Sequence, residues 1–137
     1  MQSPPDSPST YHEIIYNDGY GGYSFSQKAL DEYCKRRKIE FKTIQCREES
    51  LRDDPVMISV VKDLEKQANG KYAKLRIHRI PKRFAKAWSI GEYDGFEHVI
   101  VDFDKFKLDE IRNFLDNQGD SELKEKLLAI LDEEYHY

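Results

Sequence analysis

Apolar residues in the first half of the chain follow two spacings, one typical of strands and one typical of helices. These spacings predict, in order, a strand over residues 11–16, a helix over 27–37, a strand over 40–45 and a helix that starts at residue 55. Asp53-Asp54-Pro55 marks that last start, because a carboxylate caps the first amides and proline fits the first turn. Asn69-Gly70 predicts where the same helix ends.

After Lys71 apolar and polar residues alternate, with the two-residue period of a strand. Leu75 and Ile77 alternate with polar residues, which predicts a half-exposed strand that ends at Pro81. Asp94-Gly95 predicts a tight hairpin between strands over residues 86–93 and 96–101. Helical spacing returns near residues 107–117 and 121–135.

This order of elements predicts an α+β fold, with a small mixed, mostly antiparallel sheet and four helices packed on it. The length of 137 residues is close to the commonest domain size. We therefore expect a flexible N-terminal tail over residues 1–10 and a single domain over residues 11–137.

Composition narrows the class of protein. Hydrophobic residues make up 39% and charged residues 35%, and the net charge of −4 argues against a wholly cationic nucleic-acid binder. Cys34 and Cys46 form no Cys-x-x-Cys motif, so we expect buried free thiols in a reducing compartment. No apolar run has the length of a membrane span or a signal-peptide core, so we expect a soluble, cytoplasmic protein with no membrane contact.

A glycine-rich loop precedes the first predicted helix and is a candidate anion site. Its candidate ligand-binding residues are Gly19, Gly21, Gly22 and Ser24. Backbone amides before a helix could receive an anion, but the loop lacks the spacing of a P-loop or a dinucleotide fingerprint. A tight, tyrosine-packed turn is the alternative and is favoured.

The titratable residues indicate no catalytic centre. The four histidines have no metal-ligand spacing to each other or to cysteine, so no metal and no cofactor is expected. His98, Asp102 and a loop serine could be drawn as a triad, but any chain of this size offers such combinations. Helix capping explains Asp53 and Asp54. No catalytic residue is assigned, and an enzyme is not expected.

A basic segment carries the strongest functional signal. Residues 71–86 contain no acidic residue and include seven cations: Lys71, Lys74, Arg76, Arg79, Lys82, Arg83 and Lys86. Such a patch on one exposed side can neutralise phosphates, and aromatic side chains can stack on unpaired bases. We therefore predict that these cations, together with Tyr23, bind RNA, while a solvated strand face is the alternative. DNA is not expected as a partner.

Several motifs resemble a scattered family of small uncharacterised proteins from single-celled organisms and large DNA viruses. The similar segments, within roughly residues 12 to 102, are Tyr20-Gly21-Gly22-Tyr23-Ser24-Phe25-Ser26, Arg52-Asp53-Asp54-Pro55, Ala68-Asn69-Gly70, Ile80-Pro81 and Glu92-Tyr93-Asp94-Gly95-Phe96-Glu97-His98. That family implies no enzymatic activity and transfers no catalytic residue. It would have acidic residues after the Ile-Pro pair, where this chain has Lys82 and Arg83.

The lysine- and glutamate-rich composition suggests a fast-evolving parasitic eukaryote, and the chain resembles in size the microsporidian dormancy factors, which sit on idle ribosomes. That resemblance implies binding near the transfer-RNA exit site, with the basic strand and the glycine-rich loop as contacts. The resulting hypothesis is a non-catalytic, ribosome-associated dormancy (hibernation) factor whose partners are ribosomal RNA and ribosomal proteins. Two alternatives stay open. One is a small-ligand binder or small enzyme that uses residues 19–26, and the other is a protein–protein adaptor that docks through its last helices.

Overall fold

The computed structural model describes residues 10–119 and 122–134, and for residues 133 and 134 only the backbone. The chain divides into two compact units, residues 1–101 and 102–137. The single-domain expectation for residues 11–137 stays a prediction, and the predicted tail lies outside the described residues except for Thr10. Within the described ranges, no helix is long and apolar enough to cross a membrane.

The first unit mixes helices and strands, as the α+β prediction requires. Its elements are β1 (Tyr11–Asn17), α1 (Gln27–Arg37), α2 (Phe41–Ile44), α3 (Pro55–Leu64), β2 (Leu75–Pro81), β3 (Trp88–Tyr93) and β4 (Phe96–Val101). Short 3-10 helices cover Glu48–Leu51, Glu65–Ala68 and Lys82–Phe84. The second unit contains α4 (Phe103–Asp116) and α5 (Glu122–Glu134). The predicted α+β class is confirmed.

The strands form two antiparallel two-stranded sheets, β1–β2 and β3–β4. In the first sheet Ile15 lies opposite Ile77, and in the second Trp88 lies opposite Val101. No backbone ladder joins β1 to β4, because the outer edge of β1 is already used. There the Ile15 amide donates to the Arg52 carbonyl at 2.7 Å, and the Asn17 amide donates to the Glu97 carboxylate at 2.8 Å.

The predicted strand over residues 40–45 is wrong, since Phe41–Ile44 is a one-turn helix. The Thr43 amide donates to the Glu40 carbonyl at 2.9 Å and the Gln45 amide to the Phe41 carbonyl at 3.1 Å. The two apolar residues that suggested a strand are three positions apart, which is a helical spacing rather than a strand spacing.

The start of α3 is confirmed and its predicted end is wrong. Asp54 is the N-cap and its carboxylate accepts from the Val56 amide at 2.8 Å. The helix stops at Leu64, where Glu65 takes a left-handed φ of 53°. Asn69 is extended instead, and its side-chain oxygen accepts from the Leu75 amide at 3.0 Å. The side chain of Asn69 thus positions β2, and Asn69 is not the left-handed stop of α3.

The core of the first unit lies between β1 and helices α1 and α3. Its fully buried side chains include Ile15, Met57 and Val60. The expectation of two buried thiols is half wrong, because Cys34 is buried in this core and Cys46 is exposed. Burial raises the pKa of the Cys34 thiol, and nearby Asp31 raises it further.

In the second unit, α4 starts four residues earlier than predicted because Asp102 caps it. The Asp102 carboxylate accepts from the Lys105 amide at 2.9 Å. No residue of α4 is buried. In the described part of α5, Leu131 is buried.

Candidate nucleic-acid interface

The seven cations of residues 71–86 are all exposed to solvent. They lie before β2, along it, and in the 3-10 helix and loop that follow it. The predicted alternation of β2 is confirmed, since Arg76 and His78 are exposed while Leu75 and Ile77 are half-buried. A local sequence period therefore correctly predicted an exposed basic segment here.

The cations do not share one face, contrary to the expectation. Directly paired residues of an antiparallel sheet lie on the same face. Arg76 is opposite Tyr16, whereas Arg79 is opposite Glu13 and shares its face with Ile15 and Ile77. Residue 79 differs from residue 76 by an odd number, so strand alternation sends the two side chains to opposite faces.

Both arginines of β2 have carboxylate partners. Arg76 Nε lies 2.7 Å from Asp18 Oδ2, and Arg79 Nε lies 3.3 Å from Glu13 Oε2. The Arg76 and Arg79 side chains are 53% and 42% exposed, so water screens these ion pairs and each stabilises the fold by less than about 1 kcal/mol. Phosphates could therefore replace the carboxylates at little cost.

Four of the seven cations form no ion pair with any described residue. Lys71 lies 5.2 Å above the Tyr72 ring, and Arg83 lies 4.7 Å from the Phe84 ring centre. Lys74 and Lys82 have neither an ion pair nor a ring contact within the described ranges. These four side chains form the part of the segment that is available to an anionic partner.

The structure places Tyr23 apart from this surface. Its hydroxyl donates to the Glu48 carbonyl at 2.5 Å, and its ring lies 3.7 Å from the Arg52 guanidinium carbon. Burial raises the pKa of the Tyr23 hydroxyl. The exposed aromatic beside the cations is Tyr72, which is 67% exposed and was not among the predicted RNA-binding residues. Tyr72 follows Lys71 directly in sequence, so its place within the basic segment was the available signal.

Sequence reasoning missed a buried ionic network around Arg52, which is 2% exposed. All five guanidinium N–H groups have acceptors. Glu97 accepts from Nη1 and Nη2 at 2.9 and 2.8 Å, and Glu49 accepts from Nε and Nη2 at 2.6 and 2.8 Å. The Ile15 carbonyl accepts the fifth at 3.1 Å. Because no donor is left for a ligand, this network is structural.

Asn17 extends the network and is fully buried. Its side-chain nitrogen donates to the carbonyls of Gly19 and Gly95 at 2.9 and 3.0 Å. Its side-chain oxygen accepts from the Lys74 amide at 2.8 Å. One buried amide thus joins the glycine-rich loop, the β3–β4 turn and the start of β2.

The glycine-rich loop and the β3–β4 turn meet, as the small-ligand alternative requires, but they meet by direct packing. The rings of Tyr20 and Phe96 are 4.4 Å apart. A Cβ added to Gly21 would lie 1.9 Å from the Tyr72 Cβ and 2.1 Å from the Tyr72 carbonyl oxygen, so Tyr72 fills the space beside this glycine. The Ser24 carbonyl accepts from the Gly70 amide at 3.0 Å. This packing matches the favoured tyrosine-packed turn and leaves no room for an anion beside Gly21.

A groove of about 500 Å³ lies along β1 and α3 and contains a histidine–carboxylate pair. His12 Nε2 is 3.1 Å from Asp53 Oδ2. The nearby Ser59 hydroxyl donates to the Val56 carbonyl at 2.6 Å, so it is not positioned as a nucleophile for His12. Among the described residues no group of three or more histidine, cysteine or acidic side chains could hold a metal.

The helix cap and the Arg52 network predict a loss of stability in acid. Burial alone would raise the pKa of Asp54, but hydrogen bonds from Tyr33, Arg37 and two backbone amides outweigh it and lower that pKa. Hydrogen bonds from Arg52 lower the pKa of Glu49. A folded-state pKa below the unfolded value stabilises the fold above the unfolded pKa, and this contribution is lost as pH falls.

We therefore expect the free energy of unfolding to be level near neutral pH and to fall below about pH 4.5. Asp54→Asn keeps a good cap but removes the charge, so it should cost about 1–2 kcal/mol at pH 7 and flatten the acid limb. Urea titrations at a series of pH values measure both effects. An equally steep acid limb in the variant would contradict this assignment.

Comparisons of the whole chain with protein-family models, with curated proteins and with solved structures found no match.

Proposed function

We propose that the protein is a non-catalytic, cytoplasmic protein that binds ribonucleoprotein, most concretely a ribosome-associated dormancy factor. One observation carries the proposal: seven exposed cations lie within sixteen residues that contain no acidic side chain. Ribosomal RNA is the partner that this surface fits, because its phosphates are dense and many of its bases are unpaired.

The contact is centred on the four cations without ion pairs, Lys71, Lys74, Lys82 and Arg83. Each phosphate that they neutralise releases counterions, so binding must weaken as salt increases. Tyr72 lies beside Lys71 and exposes two thirds of its surface, which suits it to stack on an unpaired base. Tyr72 therefore takes the role first predicted for Tyr23.

Acidic side chains on the second unit support a further contact with basic ribosomal proteins. Residues 102–137 contain eleven acidic and five basic residues. Glu122, Glu125 and Asp132 on α5 are exposed. The charge of the chain is thus divided between a basic segment in one unit and an acidic helix pair in the other, which suits a partner made of both RNA and basic protein.

The direct test is co-sedimentation of the protein with ribosomes from starved and growing cells across a salt series. With four phosphate contacts, affinity should fall roughly 50-fold between about 50 and 200 mM salt. Co-migration in extracts of starved cells that is lost with salt is the expected result. A protein that stays at the top of the gradient at low salt would refute the proposal.

A matched pair of charge-reversal variants locates the contact. Lys74, Lys82 and Arg83 are changed to Glu in the test variant, and the exposed Lys35, Lys42 and Arg47 in the control. Both variants change the net charge by the same amount. The test variant should lose binding by more than about 10-fold while the control binds normally. Equal losses would show that net charge, and not this surface, drives binding.

The adaptor alternative is favoured by a separate observation. It requires an exposed apolar stripe on the last helix, and Leu123, Leu127 and Ile130 of α5 are 67%, 38% and 55% exposed. These residues recur at spacings of four and three, on one side of the helix. The second unit therefore has a surface suited to binding another protein.

A further inference from the structure

The two helices of the second unit form a hairpin with a narrow seam. Five residues, 117–121, separate α4 from α5, a length typical of antiparallel neighbours. Arg112 of α4 pairs with Asp132 of α5 at 2.8 Å. On both helices the less exposed positions include a row at helical spacing: Leu108, Arg112 and Leu115 on α4, and Lys124, Leu128 and Leu131 on α5. These positions form the seam.

Large apolar side chains lie beside this seam and are open to solvent. They are Phe103 (57% exposed), Ile111 (48%), Phe114 (64%), Leu123 (67%), Leu127 (38%) and Ile130 (55%). We call this set the apolar face. Single exposed apolar residues are ordinary, but six on one helix pair are not.

The six residues lie on the same side of the hairpin. Ile111 and Phe114 each precede a seam residue by one position, and the three α5 residues do the same. One step back along a helix turns the side chain by about 100°. The two helices run in opposite directions. A side chain one position before a seam residue therefore lies on the same side of the hairpin on α4 as on α5. Phe103 lies three turns before Phe114 and joins them.

The apolar face is large enough for a stable interface. At about 200 Å² for a whole residue of this size, the exposed fractions correspond to roughly 650 Å². The largest apolar patch on a typical monomer is about 300–600 Å². Two such faces together would bury roughly 1,300 Å², within the range of specific protein interfaces.

The charges near the face suit a second copy of the chain. Helical spacing puts Lys107 within the face and Glu110 and Lys126 at its margins, so both signs are present. The acidic residues Asp116 and Glu125 fall on the opposite side. A hollow of about 340 Å³, lined by Lys107, Glu110, Ile111 and Phe114, could receive an apolar side chain from the facing copy.

We propose that the apolar face binds the same face of a second copy, so that two α4–α5 hairpins form a four-helix bundle with two-fold symmetry. A two-helix hairpin cannot cover such a face alone, whereas two of them cover it fully. A two-fold axis requires one self-complementary patch, and this face has apolar residues on both helices. The proposal does not depend on ribonucleoprotein binding.

Sedimentation of the full chain over a concentration series tests the proposal. We expect a species of twice 16.2 kDa to accumulate with concentration. Phe114→Glu with Ile130→Glu should weaken association by at least about 100-fold, because charges would enter the interface. The matched control is Tyr93→Glu, a replacement of an aromatic that is 81% exposed on β3. It should associate normally.

Hydrogen exchange of the unaltered protein gives a second measurement that does not depend on a variant's folding. Amides of α4 and α5 should exchange more slowly as concentration rises. A monomer at about 100 µM with concentration-independent exchange would overturn the proposal, as would a double variant that still associates. A salt series distinguishes self-association from ribonucleoprotein binding. Association through the apolar face should persist at salt concentrations where phosphate binding is lost.

Discussion

Replacing Arg52 with Met is expected to lower the free energy of unfolding by about 3–5 kcal/mol, enough to threaten a domain of this size. The Glu97 side chain is only 9% exposed, and it faces two guanidinium N–H groups and the Asn17 amide. Removing the guanidinium leaves a buried carboxylate with one remaining donor. The Ile15 carbonyl and the Tyr23 ring also lose their contacts with Arg52.

Arg36→Met is the matched control for this substitution. Arg36 also has two carboxylate partners, Glu32 at 3.0 Å and Asp63 at 2.8 Å, but it lies at the surface. Exposed pairs contribute little to stability because water screens them. Urea unfolding of both variants should therefore show how much of the lost stability is due to burial of the charges and how much to ion pairing as such. If Arg52→Met costs no more than Arg36→Met, the buried network does not stabilise the fold as described.

The double variant Arg52→Met with Glu97→Leu refines the same test. Most of the cost comes from the unpaired buried charge, so removing both charges should recover a large part of the lost stability. A double variant that is less stable than Arg52→Met would instead show that Glu97 stabilises the fold through other contacts, such as its hydrogen bond from the Asn17 backbone amide. Measuring Glu97→Leu alone as well completes the double-mutant cycle and gives the coupling energy between two residues that are far apart in sequence.

The sequence predicted those features that depend on local chemistry. The α3 cap needs only Asp54 and the residues just after it, and the β3–β4 turn needs only Asp94-Gly95. The exposed side of β2 follows from alternation within the strand. Each of these signals is short in sequence and has a single physical cause, so no knowledge of the tertiary structure was required.

Features that depend on distant residues could not be predicted. The Arg52 network joins residues 15, 17, 23, 49 and 97, and in the sequence its arginine appeared only within the motif Arg52-Asp53-Asp54-Pro55. Tyr23 was predicted to bind RNA because nothing local showed that Arg52 would cover its ring. The spacing of apolar residues also gave a wrong prediction at residues 40–45. Only Ile44 is buried there, and a single helical turn is enough to bury it.

The basic segment shows an intermediate case. Composition correctly predicted exposure, but not the carboxylates that pair with Arg76 and Arg79, because Glu13 lies on β1 and Asp18 just after it, both far from β2 in sequence. Of the seven cations, four form no ion pair with a described residue, namely Lys71, Lys74, Lys82 and Arg83. A charge-reversal experiment based on sequence alone would have changed Arg76 and Arg79, which already have carboxylate partners within the fold.

Gly95→Ala is expected to cost about 3 kcal/mol or more, for two reasons that act together. Gly95 has a φ of +90° and follows Asp94 at +54°, as a two-residue hairpin turn requires. An added Cβ would also lie 2.3 Å from the Tyr20 carbonyl oxygen, and neither backbone can yield cheaply. Moving the turn would further break the hydrogen bond from Asn17 to the Gly95 carbonyl.

Substitutions at two other glycines of the chain measure backbone strain and steric contact separately. Gly22 has a φ of +84° with nothing within 4 Å of an added Cβ, so Gly22→Ala measures backbone strain alone, about 1 kcal/mol. Gly21 has the close contact with Tyr72 but not a positive φ, so Gly21→Ala measures the contact alone. Thermal and urea unfolding should rank Gly95→Ala above Gly22→Ala. If the two cost the same, the Tyr20 loop moves aside freely, and the packing that excludes a ligand from this loop would be weaker than its geometry indicates.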